Sequence, residues 1–187
     1  MKVRLLVLSL FIFVQTHGGW QSVGNLDSFS SSSPSEVTLR AGSSLVKINV
    51  LAPDLIRVRL APDGSMDEDF SWAITKQVWD PPDVALTDSP DRLIVTTSEI
   101  SLSIQKRPLR LTFADKNGNI LNEDEPAKGM AWSATGIRVW KKMPQGEQYY
   151  GFGEKSGRLN RKWNHMSMWN SDIPAYRADT DPLYQTV

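Results

Sequence analysis

The fold is decided by the stretch LRLTFADKNGNIL, residues 109–121. From Leu109 to Phe113, apolar and polar residues alternate with a period of two, which is typical of a β-strand with one buried face. The Asn117-Gly118 pair follows, and both of its residues tolerate positive φ. Ile120 and Leu121 then begin a second apolar run. This arrangement predicts a β-hairpin with its turn at Asn117-Gly118.

The same alternation recurs along the chain outside this hairpin. It is clear in residues 56–60 and 100–104, and weaker in residues 45–51. Shorter runs at Ile137–Val139 and Tyr149–Phe152 predict two further strands, and no segment has the period of an amphipathic helix. Strands at this spacing, separated by turn residues and without helices between them, predict an all-β fold, an antiparallel β-sandwich.

The N-terminal residues predict export. Lys2 and Arg4 precede the apolar run Leu5–Val14, after which the chain becomes polar and small. This is the layout of a secretory signal peptide, here residues 1–19, and the run is too short to span a membrane as a helix. A buried strand or an uncleaved anchor is the alternative interpretation. We expect a secreted or periplasmic protein.

A Ser-rich stretch separates the signal peptide from the domain. SFSSSSPS, residues 28–35, is of low complexity. Such composition is typical of flexible segments, so residues 20–35 are predicted to be a flexible leader, with a domain at 36–187.

Composition excludes several classes of function. Lys plus Arg equals Asp plus Glu, so the net charge is zero, and nothing favours nucleic acid or an anionic membrane as a partner. The chain has no cysteine, which excludes thiolate zinc sites and thiol nucleophiles. Its two histidines, His17 and His165, do not suffice for a multi-histidine metal site. We therefore expect no metal and no cofactor.

No catalytic residue is identified by the residue patterns. His165 has no nucleophile-elbow signature near it, so it is interpreted as a loop or core residue. The cluster Glu123-Asp124-Glu125 lacks the ligand spacing of a calcium loop, and it is interpreted as a solvated turn.

Aromatic side chains gather near the C-terminal end. Trp163, Trp169, Tyr176 and Tyr184 have flat apolar faces of the kind on which sugar rings stack. In a β-sandwich, however, most such side chains pack in a core or an interface. Contact with a sugar and packing against protein both remain open for these four residues.

Four segments together resemble glycoside hydrolase family 31, which contains α-glucosidases and α-xylosidases. YYGFGEK at 149–155 resembles a Gly-Phe/Leu-Gly-Glu signature of that family, and MWNSD at 168–172 resembles its Trp-Asn-x-Asp loop. DPLYQ at 181–185 resembles the stretch that leads into the catalytic barrel, and FADKNGNIL at 113–121 resembles the preceding hairpin. The resemblance extends over roughly residues 36–187.

The resemblance implies a specific fold and role. It implies that the β-sandwich is of the galactose-mutarotase-like type and that one of its loops reaches over the mouth of a following (β/α)₈ barrel. It implies that Asp172 binds substrate hydroxyls, that Trp169 and Tyr184 contact sugar or barrel, and that the ligand is an α-linked oligosaccharide or glycoside. Both catalytic aspartates of the family lie on the barrel, whose motifs this sequence does not contain. We therefore expect these 187 residues to have no glycosidase activity alone.

Two other functions remain open on the sequence. A stand-alone carbohydrate-binding module would bind sugar without a barrel. A remnant of a truncated gene would have no function of its own.

Overall fold

The computed structural model describes residues 19–76, 78–80 and 82–183. All regular secondary structure in these ranges is β. The strands are β1 (Gln21–Ser22), β2 (Ser28–Ser33), β3 (Glu36–Ala41), β4 (Ser44–Ala52), β5 (Leu55–Ala61), β6 (Ala85–Asp88), β7 (Arg92–Thr96), β8 (Ile100–Lys106), β9 (Leu109–Asp115), β10 (Ile120–Glu123), β11 (Met130–Ser133) and β12 (Gly136–Val139). No helix capable of crossing a membrane occurs among the described residues.

The strands form three antiparallel sheets. Their orders are β2-β3-β4-β5, β10-β9-β8-β7-β6 and β1-β11-β12. The chain divides into two compact units, Met1–Lys142 and Met143–Val187, and every strand lies in the first.

One hydrophobic core joins the sheets of the first unit. Along β4, buried and half-buried residues alternate from Ser44 to Val50, as a strand with one face in a core requires. The core cluster takes its buried side chains from both of the larger sheets, for example Val37, Leu39, Val46 and Ile48 from one and Leu93, Val95, Leu102, Ile104 and Leu111 from the other. This shared core makes the first unit a β-sandwich. The prediction of an all-β antiparallel fold is confirmed.

The predicted hairpin is present between β9 and β10. Gly118 has a φ of 85°, which glycine adopts without steric cost. The Asp115 carboxylate accepts hydrogen bonds from the backbone N–H of Asn117 and that of Asn119, each at 2.8 Å. The strands expected at 45–51, 56–60, 100–104 and 137–139 are also present, in β4, β5, β8 and β12.

The interpretation of residues 20–35 as a flexible leader is wrong, because residues of this stretch are part of the sandwich. Ser28–Ser33 forms β2, which pairs with β3, and Val23 and Leu26 are buried in the core. β2 is an edge strand whose place in the sheet is set by backbone pairing with β3, and its serine side chains are exposed. Phe29 alone in β2 is half-buried and packs on the core. The signal peptide predicted at 1–19 lies, apart from Gly19, outside the described residues.

The strand expected at Tyr149–Phe152 is also wrong. Gly151, Phe152 and Gly153 have φ values of 87°, 68° and 79°, all in the left-handed region. Three successive residues in that region cannot form an extended strand. The glycines that flank Phe152 make this turn sterically possible.

Candidate functional site

The second unit contains a tight turn around the Gly-Phe-Gly-Glu sequence at residues 151–154. A phenylalanine in the left-handed region costs about 1–3 kcal/mol, so the neighbouring structure must hold it there. Arg161 donates its backbone N–H to the carbonyl of Tyr149 at 2.7 Å, and the Asn160 side chain accepts the Tyr149 N–H at 3.4 Å. These contacts fold residues 160–161 back onto the start of the turn.

Lys155, directly after the turn, meets two distant parts of the second unit. Its side chain is only 3% exposed, and its Nζ donates to the Ser167 carbonyl at 2.7 Å. Nζ also lies 3.4 Å from Oδ1 of Asp181, whose Oδ2 accepts the Ser167 N–H at 2.6 Å. The hydrogen bond from the Ser167 backbone, with that from Lys155, holds the pKa of Asp181 below its ordinary value. Both backbone groups of Ser167 are thus bound by side chains.

Arg161 and Gly157 also restrict the backbone near Lys155 and Asp181. The Arg161 guanidinium donates to the carbonyls of Lys155 and Ser156, and its Nε is buried with no hydrogen-bond partner in the described part of the chain. Gly157 has a φ of 86°, and a Cβ there would lie 2.9 Å from the carbonyl oxygen of Ala178. No larger residue fits at position 157 without a shift of that backbone.

Asp172 lies on the loop between Ser167 and Asp181. It is exposed, and among the described residues it makes no hydrogen bond or ion pair. Trp169 is 70% exposed on the same loop. Both side chains are therefore accessible to a ligand or to protein, and neither is packed in a core. Tyr184, the third residue of the predicted site, lies outside the described residues.

The second unit contains a groove that the sequence did not predict, although one of its lining residues, Trp163, was a candidate for sugar stacking. The groove has a volume of about 820 Å³. Its lining residues are Met143, Gln145, Gln148, Arg158, Asn160, Lys162, Trp163 and Asn164. Trp163 has a φ of 73° and is 81% exposed. An exposed indole ring beside side-chain amides can offer a sugar both an apolar face and hydroxyl partners.

The acidic cluster at 123–125 has a structural role. The interpretation of Glu123-Asp124-Glu125 as a solvated turn is wrong for Asp124, whose side chain is fully buried and pairs with Lys141 at 2.7 Å. Across the described residues, no three His, Asp or Glu side chains are grouped closely enough to hold a metal ion.

Residues 45–187 match the model of the glycosyl hydrolase 31 N-terminal galactose mutarotase-like domain. Among curated proteins, α-glucosidase 2 of Bacillus thermoamyloliquefaciens is 31% identical over 166 residues, which make up 88% of this chain and 21% of that protein. Isomaltosyltransferase of Sporosarcina globispora is 23% identical over 197 residues, covering 97% of this chain and 17% of that protein.

Solved structures share the fold. A GH31 dextranase of Flavobacterium johnsoniae in complex with isomaltotriose superposes with a TM-score of 0.80 at 28% identity, covering 88% of this chain and 20% of that one. The cycloalternan-forming enzyme of Listeria monocytogenes has a TM-score of 0.62 at 22% identity over 76% of this chain and 14% of its own, a likeness of fold alone. The chain spans about a fifth of the length of the α-glucosidase and the dextranase.

Proposed function

Since the chain belongs to the family of glycosyl hydrolase 31 N-terminal galactose mutarotase-like domains, we propose that it is the carbohydrate-contacting front portion of an α-glycosidase. Its ligand would be an α-linked oligosaccharide or glycoside, and its partner a catalytic barrel. The names of the similar proteins support this class of substrate: one is an α-glucosidase, and another is a dextranase complexed with isomaltotriose.

The observation that carries the proposal is the position of Asp172. Its carboxylate is exposed on a loop and makes no hydrogen bond within the described chain. A free carboxylate can accept hydrogen bonds from two sugar hydroxyls, and charged acceptors make the stronger hydrogen bonds. Trp169, three residues earlier and exposed, would offer the sugar or the barrel an aromatic face.

Hydrolysis itself is not proposed for these residues. Retaining hydrolysis of a glycoside requires two carboxyl groups about 5 Å apart across the scissile bond. The resemblance to glycoside hydrolase family 31 implies that both of these carboxyl groups belong to the barrel. The purified chain is therefore expected to give no turnover of a chromogenic α-glucoside.

The export of the protein also belongs to this proposal. The signal-peptide layout of residues 1–19 supports a secreted or periplasmic location. N-terminal sequencing of the protein from the expressing cell's medium and periplasm tests this. A cytoplasmic protein that retains Met1–Gly19 would contradict it.

Titration of the chain with isomaltotriose tests the role of Asp172. We expect weak binding, and a loss of roughly ten- to hundredfold in affinity on Asp172→Ala, since a hydrogen bond to a charged acceptor contributes about 1.5–3 kcal/mol. Asp179→Ala, at an exposed aspartate of the same loop, is the matched control and should bind like the unaltered chain. Cellobiose, a β-linked sugar, controls for linkage.

The outcomes separate the candidate functions. Equal affinity of the unaltered chain and Asp172→Ala would contradict the proposed contact. If Trp163→Ala instead removes binding, the sugar lies in the groove around Trp163, which favours the stand-alone carbohydrate-binding module. No binding of isomaltotriose by the unaltered chain would contradict both functions.

A further inference from the structure

Residues 168–180 form a loop whose two ends meet. Ser167, just before the loop, and Asp181, just after it, are joined by the 2.6 Å hydrogen bond from the Ser167 N–H to Oδ2 of Asp181. The length of the loop falls within the roughly 6–16 residues of an Ω-loop, a compact loop with closed ends that is frequently functional. We call the contact of Lys155, Ser167 and Asp181 the neck of this loop.

Lys155 binds both sides of the neck. Its Nζ donates to the Ser167 carbonyl at 2.7 Å and lies 3.4 Å from Oδ1 of Asp181. With 3% exposure, the ammonium group of Lys155 is removed from water, so it needs these acceptors. Removing Asp181 would leave this buried ammonium group without its counter-ion, which is strongly destabilising, so the geometry of the neck is well determined.

The neck is itself attached to the turn that precedes it. The Ser156 hydroxyl donates to the Thr180 carbonyl at 2.9 Å, one residue before Asp181. Arg161 donates through Nη2 to the carbonyl of Lys155 at 2.8 Å, which fixes the backbone from which the Lys155 side chain extends. Position and direction of the loop are thus set from residues 155–161.

Asp172, at the exposed part of the loop, has no comparable support. It makes no hydrogen bond or ion pair with any described residue, so its direction follows the backbone of the loop. We propose that Lys155 and Asp181 are positioning residues, which hold the 168–180 loop in the conformation from which Asp172 contacts substrate. This inference rests on the proposed function of Asp172.

Amide hydrogen exchange on the full chain, without ligand, tests the neck directly. We expect Asp181→Ala and Lys155→Met to increase exchange of the hydrogen-bonded N–H groups of Arg177 and Thr180, near the end of the loop, by about tenfold or more, with exchange of the sheets of the sandwich unchanged. Asp179→Ala, which removes an exposed carboxylate two residues from Asp181, should exchange like the unaltered chain. Asp181→Asn keeps an oxygen that can accept the Ser167 N–H, so it should restore part of the protection.

Titration with isomaltotriose then tests positioning. The two neck variants, Asp181→Ala and Lys155→Met, should lose affinity for isomaltotriose although Asp172 is intact. The affinity of Asp181→Asn should lie between theirs and that of the unaltered chain. If either variant fails to fold, the other and Asp181→Asn still give both measurements.

The outcomes distinguish this inference from the proposed function. Unchanged exchange at Arg177 and Thr180 in the neck variants overturns the positioning role, and so does faster exchange with undiminished affinity. Asp172→Ala with full affinity instead overturns the proposed function. In that case, the neck variants would still show by exchange whether the neck orders the loop.

Discussion

Asp124 stabilises the sandwich as a buried carboxylate. Its Oδ2 accepts the Leu111 N–H at 2.9 Å, and its Oδ1 accepts from Nζ of Lys141 at 2.7 Å. Leu111 is in β9, and Lys141 follows β12, so this side chain links two sheets of the first unit. The Lys141 side chain is 32% exposed, so its ion pair is partly screened by water. Most of the stability lost on removing Asp124 would therefore come from the buried Leu111 N–H, which would have no acceptor.

Asp124→Ala should lower the free energy of unfolding by about 2–3 kcal/mol. The change leaves the Leu111 N–H buried without an acceptor, which costs about 1–3 kcal/mol, and it adds the loss of the ion pair. Urea denaturation measures this, with Asp54→Ala, at an exposed turn residue, as the control. A change within about 0.5 kcal/mol, as is usual for surface substitutions, would contradict the structural role.

Sequence patterns could not identify which distant residues contact Asp124, Lys155 or Asp181. Nothing in Glu123-Asp124-Glu125 distinguishes the middle carboxylate, because its burial depends on Lys141 and β9 being brought to it by the sheets. In the same way, Lys155 and Asp181 meet across 26 residues of the sequence. By contrast, the loop with Trp169 and Asp172 could be located, because a short motif and its spacing carried the resemblance.

At the scale of an element, the β9–β10 hairpin is held by one carboxylate. Asp115 accepts from the N–H of Asn117, and from both the N–H and the side-chain amide of Asn119. The side-chain hydrogen bond from Asn119, followed by its backbone hydrogen bond, lowers the pKa of Asp115 below its ordinary value of 3.8. Because the folded state has the lower pKa, the stabilisation is complete above that value and is lost as pH falls through the lowered pKa.

The hairpin should therefore respond to acid below pH 3.8. We expect the amide resonances of Asn117 and Asn119 to shift together as Asp115 is protonated, with a midpoint below the ordinary pKa of an aspartate. Asp115→Asn, which has no titrating group there, should lose this transition. A midpoint at or above the ordinary value would show that the hydrogen bonds do not favour the charged form.

Strands with alternating apolar residues could be predicted, and the polar strand could not. The inward side chains of β4 and β8 follow the period that a buried face imposes. β2 has no such period, because its serines are exposed and its place in the sheet depends on pairing with β3. The turn at Phe152 was missed for a related reason: apolar residues at 149–152 suggested a strand, while the backbone there is left-handed.

The two units differ in the interactions that stabilise each of them internally. The first contains the apolar core that both larger sheets share. In residues 143–183, Leu183 is the one apolar side chain that is buried, and the principal contacts are polar. Large apolar side chains of these residues remain exposed, among them Tyr150, Leu159, Trp163, Trp169 and Tyr176. A unit of this kind is expected to bury its apolar side chains against a partner.

The isolated chain should therefore associate through the second unit. Three substitutions there, Leu159→Ser, Trp163→Ser and Trp169→Ser, should weaken self-association by at least about tenfold, since burying one large apolar side chain contributes about 1.5–3 kcal/mol. Sedimentation velocity over a range of concentrations measures this. The matched control is Phe70→Ser with Trp72→Ser, at exposed aromatic residues of the first unit, 60% and 94% exposed. If association instead disappears in the control and persists in the triple variant, the surface that self-associates lies on the sandwich. The second unit would then need no partner to cover its apolar side chains.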